Sequence, residues 1–431
     1  MNKYIHSVVL DAEKCTGCTT CMKHCPTEAI RVRNGCAEID AERCIDCGEC
    51  IRHCTHGAKK SSYDSLDKIQ QYKYKIALPA PALFAQFDHL DELDYVLQGL
   101  LDIGFDDVFE VARGAELVSA YTRLYLQNEH IKKPVISTAC PVIARLVVLR
   151  FPYLKDNLIP LLPPIEIAAS MARERAMFKH PELKKEDICV CFISPCPAKV
   201  SFVRNGFGDY KSEVDIVVSM SEVYLKLVNA MSREKNPGIS SEAGRIGLSW
   251  AMCGGEASAL FNDRIIAADG IENIISVLDQ IEDGNISSVD FVELNACPGG
   301  CVGGVLAMEN PFISKNRLHT LRRYLPVSQV KTEDSFIPED AFFSALPDYN
   351  PLNRLSDNIG ESMRLMARIR AITKELPGID CGSCGAPSCR AFAEDVVLGH
   401  ANQNDCIIAY KDIIKQYIEN YDPEGKTDDS Q

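Results

Sequence analysis

Apolar positions along most of this chain switch repeatedly between an uninterrupted run and a helical period. YKIALPAPALF, from Tyr74, is a short apolar run broken by Pro79 and Pro81, as expected of a strand that ends where the ladder loses its donors. Leu93, Val96, Leu97, Leu100 and Leu101 then recur at helical spacing, and Gly104 stands just past the predicted helix end. Strand-like runs return at Val135 to Ile136, Ile188 to Ile193, Ile246 to Met252 and Phe291 to Leu294, each leading into a cysteine or glycine turn. Such alternation predicts an α/β fold with a mainly parallel sheet covered by helices. Sites in open sheets of this kind form at the carboxyl ends of strands, so the cysteines fall where a site is expected. Pro141 opens a helix continued by Ile143, Leu146 and Val147, whose amide end would stabilise thiolate charge on Cys140.

The two ends of the chain follow other patterns. AIRVRNGCAEID predicts a hairpin turning at Asn34-Gly35, with Cys36 in the return strand as a structural thiol. Beyond about Leu325 the periodicity weakens through a proline-interrupted stretch that wraps or links. Leu365, Ile369, Ile372 and Leu376 then share one helical face ahead of Pro377-Gly378, a helix expected to dock a further unit. The ending DPEGKTDDSQ reads as a disordered tail or the point where a longer chain was cut.

The chain has 431 residues, room for about three domains of ordinary size, and a formal charge of -14 that argues against nucleic-acid binding. The first residues lack an uninterrupted apolar region of signal-peptide type, and no long apolar run predicts a membrane span. Twenty cysteines in a cytoplasmic chain point to metal ligands rather than disulfides. Cys189 and Cys191, inside an apolar strand, read as core thiols.

Cys15, Cys18, Cys21 and Cys25, then Cys44, Cys47, Cys50 and Cys54, are two copies of one spacing. A CxxCxxC turn wraps three corners of a cubane while the fourth ligand comes from the other copy. That pairs Cys15, Cys18 and Cys21 with Cys54, and Cys44, Cys47 and Cys50 with Cys25. The segment resembles bacterial two-cluster ferredoxins, departing only at Thr55, where proline is usual. Near the other end, CGSCGAPSC places Cys381, Cys384 and Cys389, and Cys406 follows. Four thiolates suit iron or zinc. The pattern resembles the small iron-sulfur domain of the Rnf B subunit and of corrinoid iron-sulfur proteins, which implies one 4Fe-4S cluster.

Between them lie STACP (Ser137 to Pro141), SPCPAK (Ser194 to Lys199) and ELNACPGGCVGGVL (Glu293 to Leu306). In this order they resemble the three signature loops of FeFe hydrogenases, over roughly residues 76 to 325. The resemblance implies an H-cluster domain of two parallel-sheet lobes with helices, flanked here by a small α+β ferredoxin domain and a small helical iron-sulfur domain. The expected segments are 1–70 for the ferredoxin part, 76–330 for the H-cluster part, 331–364 for a connector and 365–431 for the terminal cluster part. It further implies that Cys140, Cys196, Cys297 and Cys301 ligate a 4Fe-4S cubane. Cys301 would bridge to a diiron subcluster with CO, cyanide and azadithiolate ligands, and Lys199 would hydrogen-bond a cyanide. Together with the ferredoxin pair and the terminal site this makes four 4Fe-4S clusters, a conduit for single electrons. The implied reaction interconverts H2 with protons and electrons, with a redox partner such as ferredoxin or a signalling protein, and with maturases that build the diiron unit.

Several positions depart from that family's pattern. The proton-relaying cysteine of the first loop is Ala139, the usual methionine of the second is Ser194, the glutamate beyond Lys199 is Phe202, and the methionine of the third loop is Asn295. A positioned acid or base commonly contributes about 10² to 10⁴ in rate, so turnover is expected to be slow. Glu256, Glu293, Ser194 and Cys253 are the remaining titratable or hydroxyl-bearing candidates. Both glutamates could equally be surface carboxylates, and Cys253 a small buried residue at a strand end. These changes, with the terminal cluster, resemble the sensory branch, groups C and D. A PAS domain usually follows the last cluster in group C; none falls within these 431 residues, leaving group D or a chain that continues. Alternative functions are a hydrogenase-like assembly factor or an electron-transfer subunit, both without a diiron site.

Overall fold

The computed structural model describes residues 4–233, 236–330, 336–346, 355–356, 358–411 and 414–415. The expected tail and part of the connector lie outside the described residues. The chain divides into two compact units. One comprises Met1–Val9, Ile45–Gly48 and Ser61–Asn350, the other Leu10–Cys44, Glu49–Lys60 and Pro351–Gln431.

The first unit is α/β. Its larger sheet has the order Asp107–Val108, Tyr74–Pro79, Ile188–Ser194, Ile216–Ser219, with every neighbouring pair parallel. The strand Ile188–Ser194 is buried along its whole length. An apolar run without alternation is what a strand covered on both faces requires. Cys189 and Cys191 point into this core, and burial pushes the Cys189 thiol up to about 12. The helices Val111–Leu126 and Pro164–Lys179 pack on each other, and the second also lies against the central strands. A smaller parallel sheet has the order Ile265–Asp269, Phe291–Asn295, Val135–Ile136, with Phe291 opposite Val135 and Val292 opposite Ile136.

One predicted strand is a helix. Ile246 to Met252 holds the short helix Arg245–Ser249 and the turn that follows it. A brief buried apolar run has no periodicity to separate the two states. Tertiary packing decides here, because Gly247 lies so close to the Ala112 carbonyl that a Cβ there would collide with it.

The second unit carries the hairpin Ile30–Arg33 with Cys36–Ile39. Asn34 at φ 51° and Gly35 at φ 74° supply the two left-handed residues a two-residue turn needs. The helix Ile359–Glu375 starts at Asn358, whose side chain accepts from the amides of Gly360 and Glu361. It buries Ile369 and Ile372, with Leu376 just past its end, in a cluster with Phe392 of the helix Cys389–Val397. The hairpin and this terminal pair of helices are held together. Val32 N donates to Gly385 O at 2.9 Å, Arg31 meets Asp395 at 2.7 Å, and Arg43 pairs with Glu394. Among the described residues no helix is long and apolar enough to cross a membrane.

Candidate metal centre

In the first unit, three strand ends deliver four cysteines to one cavity. Val135–Ile136 leads to Cys140, which caps the helix Pro141–Arg150, and Ile188–Ser194 leads to Cys196, which caps Pro197–Asn205. Proline is the first residue of both helices, where its missing N–H costs nothing and its fixed φ suits the first turn. Both helix starts place their positive dipole ends beside a sulfur. After Phe291–Asn295 the chain turns through Cys297 to Cys301. Gly300, at φ 98°, lies so close to the Cys253 amide that a Cβ would come within 2.5 Å of its nitrogen. Only glycine lets the turn close there.

Cys140, Cys196, Cys297, Cys301, Lys199, Ala139, Asn295, Glu256 and Glu293 all line this cavity, which holds about 910 Å³ of empty space including its mouth. Burial pushes the Cys196 thiol up to about 12; the charges of Cys140 and Cys301 add to the rise and Lys199 opposes it. Cys301 is raised by burial and lowered by Lys199 in the same way. Crowded, half-buried sulfurs of this kind can bind a soft metal by exchanging their protons for it, and the lysine would offset part of the resulting negative charge.

Two carboxyl groups close the cavity. Glu256 is 5% exposed and accepts the Ser137 hydroxyl at 2.8 and 2.9 Å. Glu293, 2% exposed, accepts from the amides of Gly254 at 3.0 Å and Ala257 at 2.8 Å, and from Asn295 Nδ2 at 2.7 Å. Neither is a surface carboxylate. Burial raises both, and the charge of Glu293 raises Glu256 further, whereas three donors favour the ionised form of Glu293. Of the two, Glu256 is therefore the carboxyl more strongly biased towards its protonated form.

Two predicted residues stand apart from the lining. The Ser194 hydroxyl donates to Cys196 O at 3.1 Å and accepts Cys196 N at 3.0 Å, so it shapes the turn. Cys253 does not line the cavity and is only partly buried. Burial, then the charge of Glu293, pushes its thiol up to about 12. Ser137 was not singled out from sequence; its signal was a small polar residue at a strand end within STACP.

In the second unit Cys15, Cys18, Cys21 and Cys54 line a cavity of about 340 Å³, and Cys381, Cys384, Cys389 and Cys406 line another of about 350 Å³. Burial raises the Cys21 and Cys50 thiols and Lys59 opposes it in both; Cys18, Cys15 and Cys54 add to the rise at Cys21, and Cys25 and Cys21 add to it at Cys50. The Cys36 thiol donates to the Cys15 sulfur.

The profile of the iron-only hydrogenase large subunit, C-terminal domain, matches residues 73–262 and 253–305, more than half of the chain. The chain belongs to the iron-only hydrogenase family. In this hydrogenase-family chain a 4Fe-4S dicluster domain matches residues 7–55 and a putative Fe-S cluster domain matches residues 376–408. The chain thus carries iron-sulfur cluster domains on both sides of its hydrogenase domain. Solved FeFe-hydrogenases are among the similar structures. One is HydA(deltaEFG), described for stepwise H-cluster assembly, at 19% identity and TM-score 0.44, covering 58% of this chain and 84% of that one. A variant of HydA1 from Chlamydomonas reinhardtii has 17% identity and TM-score 0.45, covering 61% and 87%. An apo variant of the same enzyme has 17% identity and TM-score 0.43, covering 68% and 88%. No curated protein matches the chain.

Proposed function

We propose that this hydrogenase-family chain is an FeFe-hydrogenase-type oxidoreductase that interconverts H2 with protons and electrons slowly, in H2 sensing or redox signalling. The observation that carries the reading is the meeting of four cysteines and Lys199 around one cavity. Cys140, Cys196, Cys297 and Cys301 would hold a 4Fe-4S cubane, Cys301 as the bridge. When bound, the diiron unit with its CO, cyanide and azadithiolate ligands supplies the centre at which H2 is split or formed. Lys199 would donate to a cyanide nitrogen, a use that an assembly factor carrying only cubanes would not have for it.

Proton handling falls to this chain's own side chains. The methyl group of Ala139 neither gives nor takes a proton, so the relay that a cysteine provides there is missing. Glu256 holds a proton beside Ser137 inside the cavity, and Glu293 stands fixed by its three donors. We assign Glu256 as the proton donor and Glu293 as the fixed charge that keeps it protonated. A single buried carboxyl in place of a tuned relay accounts for slow turnover.

Eight cysteines in the N-terminal segment and four in the terminal one would hold three further 4Fe-4S clusters. That total of sixteen thiolate ligands suits a reducing, cytoplasmic setting. The redox partner is then a ferredoxin or a signalling protein, and maturases must load the diiron unit. The departures at Ala139, Ser194, Phe202 and Asn295, with the terminal cluster, support reading the chain as one of the sensory branch. The terminal domain is read as the type resembling that of the Rnf B subunit. Infrared spectroscopy of the matured protein tests the core of this reading. Bands from iron-bound CO and cyanide are expected; their absence from a fully matured sample leaves only cubanes and rejects it.

A further inference from the structure

Lys59 is 3% exposed, and among the described residues its ammonium nitrogen has no hydrogen-bond partner. A buried charge without a partner is costly, so buried lysines normally meet a counter-charge. The side chain lines the cavity formed by Cys15, Cys18, Cys21 and Cys54.

The internal repeat makes this lysine an asymmetry. Cys25-Pro26-Thr27-Glu28-Ala29-Ile30 in the first copy corresponds to Cys54-Thr55-His56-Gly57-Ala58-Lys59 in the second. Ile30 is 2% exposed and Lys59 3%. Two equally buried positions therefore carry an isoleucine in one copy and an ammonium in the other. Burial alone does not call for a charge at this position, and an anion in the neighbouring cavity would give it a partner.

We propose that Lys59 is the counter-charge of the iron-sulfur cluster held by Cys15, Cys18, Cys21 and Cys54, and that it raises that cluster's reduction potential above that of its partner. The inference rests on the proposed cluster assignment. A cubane with four thiolates is anionic, and one added electron increases its negative charge by one. A fixed ammonium beside it stabilises the reduced form more than the oxidised form. Lys59 is thus a positioning residue for electrons: it makes the first cluster the one that holds an electron when the chain is half reduced.

The test is a potentiometric titration of the full chain with its cubanes in place, using dithionite as the one-electron donor and following the reduced clusters by electron paramagnetic resonance. Lys59→Met and Lys59→Gln are each expected to make reduction of one cluster about tenfold less favourable, about 59 mV for one electron. The second cluster should move less, and Lys59→Arg should stay near the parent value. Unchanged potentials in whichever neutral variant retains its clusters overturn the proposal. So does loss of clusters in both neutral variants and in Lys59→Arg alike, which would make the residue a packing element. If the parent chain itself binds no cubane at Cys15, Cys18, Cys21 and Cys54, the cluster assignment has failed instead, a result that iron and sulfide analysis separates from the others.

Discussion

At the scale of single residues, the proposed chemistry is set by what stands beside the cavity. Ala139→Cys restores a thiol at the missing relay position and should raise H2 evolution in the loaded enzyme; an unchanged rate would show that the relay does not limit turnover. Glu256→Gln keeps the shape and the contact with Ser137 but removes the exchangeable proton. It should slow turnover by about 10²-fold while leaving the CO and cyanide bands in place. Glu110 gives a separate prediction about stability. Burial pushes its carboxyl up to about 7 from 4.5, against hydrogen bonds from Ser241 at 2.8 Å and the Glu242 amide at 2.7 Å. A carboxyl raised on folding contributes stability that is fully present below its unfolded value and is lost as pH climbs through the folded value. Stability should therefore fall by about 3 kcal/mol between pH 4.5 and 7 on this account. The thermal midpoint of Glu110→Gln should decline less across that window than the parent's. Cys140, Cys196, Cys297 and Cys301, which line one cavity, could be singled out from the sequence as candidate ligands because a cysteine between proline or glycine and an apolar run suggests both a ligand and a turn. Ser137 was not, since a serine carries no such mark until Glu256 is seen against it.

Elements were legible where their chemistry is local. The hairpin at Asn34-Gly35 needed only two residues that tolerate positive φ. The strand Ile188–Ser194 needed only an unbroken apolar run. Arg245–Ser249 was misread as a strand because its apolar residues are too few to display a period, and its contact with Ala112 cannot be read from the run itself. Nor does the chain announce that the hairpin and the terminal helices join. Asp395 accepts from Arg31 at 2.7 Å and Arg33 at 3.3 Å, with its side chain only 10% exposed. Asp395→Ala would leave two guanidinium groups without this partner and should cost about 2 kcal/mol. Amide exchange at Val32, which donates to Gly385 O, should accelerate in that variant. Exchange as slow as the parent's would mean the backbone contact alone holds the two segments.

For the whole molecule, the prediction concerns how many metal centres it carries. Cys389 lines the terminal cavity with Cys381, Cys384 and Cys406. Cys389→Ser should lower iron and sulfide by about one cubane's worth and leave the remaining clusters spectroscopically intact. Zinc bound there instead would overturn the iron assignment.

Spacing alone determined the candidate ligands of the N-terminal and terminal clusters, because three sulfurs within a few residues must share a turn whatever surrounds it. It likewise determined the alternation that yields a covered parallel sheet. Only tertiary structure decided that Cys140, Cys196 and the Cys297–Cys301 turn reach one cavity, since their separation along the chain is bridged by two sheets. The same holds for Glu256 beside Ser137, for the terminal helices on the hairpin, and for the enclosed ammonium of Lys59. Those are matters of burial and of charges meeting across distant segments, and local periodicity carries neither.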